Sequence, residues 1–229
     1  MGIFNKFNKK NSIKSKDSIK AKAMFLNSTN ELDRNKYFTM GFPLDMVQTV
    51  NELIEYLPNL TKYDVWSAEN SKRITYLLGE QIISFPYRIY FDEIEEDVFS
   101  NMSDIEKMII NCIYSRSCNG SVREKHIRNL LSIEYPEWSI PYIVKICDEY
   151  IAEILQLVYE NLKDKNTNAI KEFCDNNYIS FCKSYDRMIS YWNEYYRWDC
   201  YRYKNYVGRK LFIECFGASQ KINCLKLIK

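Results

Sequence analysis

The sequence predicts an all-α fold: a single multi-helix domain over residues 41–229, a helical bundle, behind a flexible basic tail and linker over residues 1–40. Three observations lead there. The 229 residues hold only six glycines and five prolines, whereas a many-stranded β protein needs a turn about every 8–12 residues. Apolar residues recur at helical spacing along most of the chain after Phe42. Two Ser-x-x-Glu capping boxes, Ser103/Glu106 and Ser121/Glu124, announce helix starts. The length suits one domain and suffices for a sizeable core.

The elements follow in order. Val47, Val50, Ile54 and Leu57 form a helical stripe bracketed by Pro43 and Pro58. A second helix is expected from about Ser71 to Ile83, with Ile74, Leu77, Leu78 and Ile82 inward. "FPYRIYF" at 85–91 reads as extended, because Pro86 pushes Phe85 out of helical geometry. The acidic run Asp92, Glu93, Glu95, Glu96 and Asp97 reads as a solvated face and as an internal partner for the basic tail. Ser103 opens a helix to about Arg116, and Ser121 opens "VREKHIRNLL". Ser139 caps a long helix that tolerates Pro141 in its first turn. Its stripe is Val144, Cys147, Ile151, Ile154, Val158 and Leu162, with Asp148, Glu149, Glu153 and Glu160 mostly off it. Thr167 caps a helix to about Lys183. An aromatic helix over 185–207 stops at Gly208, and a last turn ends near Gly217. No strand pairing is expected.

The net charge of +2 conceals an asymmetry. Residues 1–22 carry seven lysines and one acid, Asp17, leaving −4 for the rest. Such a tail can touch nucleic acid, a membrane surface or the acidic run. Ile3, Phe4 and Phe7 make at most a weak membrane-surface contact. No run of about 18 apolar residues occurs, so no transmembrane helix is expected. Eight cysteines without a Cys-x-x-Cys, one histidine and no secretory leader in "MGIFNKFNKK" point to reduced thiols in a cytoplasm and to no metal. No dinucleotide or phosphate-loop motif occurs, and no cofactor is expected.

Two concentrations of chemistry stand out. In "YWNEYYRWDCYRYKNY", a continuous helix gathers most aromatics into an arc of roughly 160°. Tyr191, Trp192, Tyr195 and Trp198 then belong to a core or an interface, with Arg197 and Lys204 opposite. Asp199 and Arg202 fall inside the arc, three residues apart, and are expected as a buried polar pair. That pair is also where a small enzyme's cleft would lie. In "YSRSCNGSVREKHIRNLL", Arg116, Ser121, Arg123 and His126 crowd a turn whose helix start offers free amides to an anion. A solvated helix–helix turn is the simpler reading.

"NGSVREKHIRNLL" with the following "WSIPYIVKICDEYIAEILQLVYENL" resembles a HEAT-type helical pair. Val122 and Arg123 match the Val-Arg that opens the second helix of that repeat, while Asn119 stands where the repeat carries an acid. The resemblance covers about 45 residues, with no clear second copy. "FPYRIY" and "VREKHI" also resemble segments of uncharacterised all-helical bacterial proteins. These resemblances imply an α fold and a scaffold role. The functional expectation is therefore a non-enzymatic binding or scaffold protein with a protein partner. Nucleic-acid or anionic-ligand binding through the tail and the 114–128 turn is the alternative, and a small enzyme around Asp199 and Arg202 is the third reading. Oligomeric state is left open.

Overall fold

The computed structural model describes residues 37–58 and 73–218. The basic tail over 1–36 lies outside them, but Phe38 and Thr39, expected in the linker, are buried, so the packed unit starts earlier than residue 41. The described fold is mostly helical with one small two-stranded sheet. It is therefore not strictly all-α.

Pro43 leads a single 3-10 turn into α1, Val47–Ile54, which buries Val50, Leu53 and Ile54. The helix expected from about 71 to 83 is instead a hairpin. β1, Arg73–Leu78, pairs antiparallel with β2, Gln81–Pro86, from Leu78↔Gln81 to Arg73↔Pro86. Gly79 opens the two-residue turn at φ 57°, the left-handed geometry that matches the twist of paired strands. Ile74, Thr75, Ile82 and Ile83 are β-branched and suit a pleated surface. The helical spacing also chose the wrong interior: Leu77 and Ile82 are exposed, and Tyr76, Ile83 and Phe85 are buried. Asn177 completes the free edge of β1, its carboxamide exchanging two 2.8 Å hydrogen bonds with the Leu77 backbone.

The stretch after β2 is extended, as expected. Ile89 bridges to the 116–118 turn, its N–H donating to Arg116 O and its carbonyl accepting from Cys118 N, both at 2.8 Å. This bridge carries Tyr87 and Arg88 to that turn. After α2, Glu96–Ser100, comes α3, Asp104–Tyr114, whose Ser103/Glu106 capping box is formed. α4, Gly120–Leu131, is capped by Asn119, which accepts from Ser121 N–H at 3.0 Å. The expected Ser121 capping box is thus displaced by an Asx turn two residues earlier.

The long helix expected after Ser139 is broken. α5, Ile140–Ile146, and α6, Ala152–Leu162, flank a non-helical segment at 147–151. α7, Asn168–Asn176, and α8, Tyr178–Tyr191, meet at Asn177, not at the expected boundary near Lys183. A π turn, Trp192–Tyr196, ends α8, and α9, Val207–Lys210, runs into a second π turn, Leu211–Cys215. α3 packs on α4, α4 on α6, and α6 on α9 and the final turn. Ile110, Ile127, Leu130, Ile143, Ile154, Val158 and Phe212 are fully buried in the core. Among the described residues no helix is long and apolar enough to cross a membrane.

Candidate anion-binding site

Five segments bring charge into the interior: the extended Tyr87–Arg88, the turn from Arg116 to Arg123, the last turn of α5 with Lys145, the break that follows it, and α8. Glu149 lies in the break and is buried. Arg88 Nη2 reaches its Oε1 at 2.7 Å, and Arg116 Nη2 stands 3.5 Å from the same atom. Arg123 Nη2 is 2.9 Å from Oε2 but aims no N–H at it, so this is a charge contact without a hydrogen bond. Arg123 spends Nη1 on the carbonyls of Ser117 and Cys118, at 2.7 and 3.0 Å. One residue earlier, Asp148 is also buried. Its Oδ2 accepts from Lys145, from Arg187 at 2.6 Å and from Ser184 at 3.0 Å.

These two carboxylates explain the break. A continuous helix would leave Asp148 and Glu149 mostly off its buried stripe, whereas the kinked segment turns both inward among cations. Gly120 makes room opposite: a Cβ there would stand 2.7 Å from Ile151 Cδ1, so a larger residue would push the end of that side chain aside.

The Tyr87 ring forms the hub. Arg88, Lys145, Arg116 and Arg187 put their charges 4.8, 5.0, 5.9 and 5.9 Å from its centroid, within the range of cation–π attraction. The Tyr87 carbonyl also accepts from Arg116 Nη2 at 2.7 Å. Five cations therefore meet two carboxylates, a formal excess of three positive charges. Burial depresses the Lys145 ammonium to about 8; the neighbouring Asp148 opposes this, and Arg116 and Arg187 reinforce it. Burial likewise lowers the Arg116 guanidinium against the pull of Glu149.

The hydrogen bonding is unfinished in the same place. Arg116 Nε and Nη1, Arg123 Nε and Asp148 Oδ1 are buried without a hydrogen-bond partner, a costly condition for such groups. The side chains of Arg88 and Arg187 are 14% and 31% exposed, against 1% for Arg116. They form the mouth of the cluster.

Of the residues expected around the cationic turn, the structure unites Arg116 and Arg123, and places them inside the fold and not on a solvated face. Ser121 is exposed, and its N–H is taken by the Asn119 cap. His126 belongs to a separate buried group: Nδ1 is 2.7 Å from Asn111 Oδ1, Nε2 is 2.9 Å from Glu93 Oε1, and the ring stacks on Tyr114. Burial lowers the His126 pKa, opposed by the Glu93 carboxylate. The acidic run thus serves the fold in part, with Glu93 also held by Lys125 at 2.8 Å.

The expectation of a buried Asp199–Arg202 pair is corrected. Both residues are exposed. The helix that would have buried them ends at Tyr191, and Trp192 Nε1–H bonds Cys200 O at 3.0 Å to close a loop instead. On that loop Tyr191 and Trp192 are half-buried, while Tyr195 and Trp198 are exposed, Trp198 at 89%.

Neither a protein-family model, nor a curated protein, nor a solved structure matches the chain. The site is therefore read from its own chemistry. Among the described residues no group of histidines, cysteines and acids has the makings of a metal site. Sequence reasoning missed Tyr87, Arg88, Lys145, Asp148, Glu149 and Arg187. The available signal was "IPYIVKICDEYI", where three charges interrupt an otherwise apolar run.

Proposed function

We propose that the chain is a binding protein for an anionic ligand bearing a phosphate or carboxylate group. Arg88 and Arg187 receive the anion at the mouth, and Arg116, Arg123 and Lys145 supply the field behind them. The observation that carries this reading is the uncompensated positive charge: five cations around two carboxylates, with guanidinium nitrogens of Arg116 and Arg123 unpartnered. Burying an unbalanced charge costs several kcal/mol per ion. An anion at Arg187 and Arg88 removes much of that cost, and arginine offers it paired donors in a planar fork.

The test is a calorimetric titration of the full chain with inorganic phosphate. Saturable binding is expected, weakened about tenfold or more in Arg187→Gln and in Arg88→Gln, since a hydrogen bond to a charged group contributes about 1.5–3 kcal/mol. Equal affinity in the wild type and both variants contradicts the reading, as does the absence of binding.

A further inference from the structure

The mouth of the cationic cluster is continuous with a patch of exposed aromatic rings. Arg187 and Tyr191 stand four residues apart on α8, hence on one face of it. Both reach the same segment: Arg187 to Asp148, and Tyr191 to the ring of Tyr150, two residues on. Tyr195 follows on the π turn and meets both rings. The three centroids lie 6.0 to 6.1 Å apart, with interplanar angles of 69°, 51° and 31°. Tyr150 and Tyr195 are 49% and 56% exposed. The patch is held in place, since Tyr196 Oη donates to Tyr150 O at 2.5 Å and accepts from Ala152 N–H at 3.1 Å. Part-exposed aromatic rings beside a concentration of positive charge match a ligand that joins a phosphate to a planar ring.

We infer that the ligand is a nucleoside phosphate, its phosphate on Arg187 and Arg88 and its base stacked on Tyr150, Tyr191 and Tyr195. This rests on the anion-binding reading and specifies it. Other anions lack one half of the match: inorganic phosphate leaves the rings bare, and an aliphatic carboxylate gains little from them. Base–aromatic stacking is sequence-tolerant, so the base is not specified, and the nucleoside phosphate comes free or as part of a single strand.

The experiment titrates the full chain with inorganic phosphate, adenosine 5′-monophosphate and a short oligothymidylate. The nucleotide or the oligonucleotide is expected to bind about tenfold or more tightly than phosphate, as stacking of one base implies. Tyr195→Ala is expected to weaken nucleotide binding about fivefold more than phosphate binding, and Tyr195→Phe to restore it. The relative affinities of nucleotide and oligonucleotide then tell the free ligand from the polymer. Equal affinity for all three ligands, or a Tyr195→Ala effect that is the same on phosphate and nucleotide, overturns the nucleoside assignment while leaving the anion site. No binding of phosphate, nucleotide or oligonucleotide overturns both.

Discussion

Single charges in the interior carry the most sharply testable chemistry. Lys145 has its pKa depressed to about 8 from an ordinary 10.5. A buried amine that resists protonation costs stability as pH falls from 10.5 through 8, because the unfolded chain takes up the proton first. The free protein should therefore gain stability over that interval as pH rises, and Lys145→Met should flatten the gain in denaturant midpoints measured from pH 8 to 10.5. A bound anion reverses the preference, so anion affinity should fall as pH rises through about 8. His126 works in the acid range. Its depressed pKa makes stability fall as pH drops below about 6.5. Glu93 is held below its ordinary value because donors from Lys125 and His126 outweigh its partial burial, and its contribution is lost at still lower pH. His126→Gln should shallow the decline between pH 6.5 and 5. Glu149→Gln is a harsher test. It leaves Arg116 and Arg123 facing each other, and a loss of about 3–5 kcal/mol is expected in urea unfolding.

At the scale of elements, legibility depended on whether one period or one cap excluded its rivals. The Ser103/Glu106 box was readable because two side chains and two backbone N–H groups specify the same helix start. The hairpin was hidden because Ile74, Leu77, Leu78 and Ile82 satisfy helical spacing, while the true interior residues, Tyr76 and Ile83, sit on the strand face opposite Leu77 and Ile82. Gly79 was the neglected signal. Its φ of 57° disfavours any side chain, yet a Cβ there meets nothing within 4 Å. Gly79→Ala should therefore cost about 1–2 kcal/mol of purely backbone origin, and Gly79→Asn less, as read from thermal unfolding. The break between α5 and α6 was illegible for a different reason. The apolar stripe continues through Cys147 and Ile151 without a proline or glycine, and only long-range partners on Tyr87–Arg88, α4 and α8 make the kink favourable. The aromatic helix failed likewise: one broad face was compatible with a straight helix, but the chain leaves it at Trp192 and spends part of that face on solvent.

For the whole molecule, the mostly helical class was readable from sparse glycine and proline and from helical stripes, and the small sheet was not. The candidate site was half readable. Arg116 and Arg123 were named from their crowding in sequence, but a turn gives no hint of burial, and the shared carboxylate, Glu149, lies 33 residues beyond Arg116. A net charge of +2 conveys none of this, since the residues after the basic tail are acidic in sum and the five cations are gathered locally, while Lys125, Arg128 and Lys163 pair with surface acids. The measurement closest to the central claim is the ¹⁵Nε–H spectrum of the arginines in the full chain during a phosphate titration. The account predicts saturable shifts for Arg88, Arg116 and Arg187 together, with the exposed Arg128 and Arg197 unmoved. Shifts confined to Arg128, Arg197 and other surface arginines, or no saturable shift at all, would contradict it.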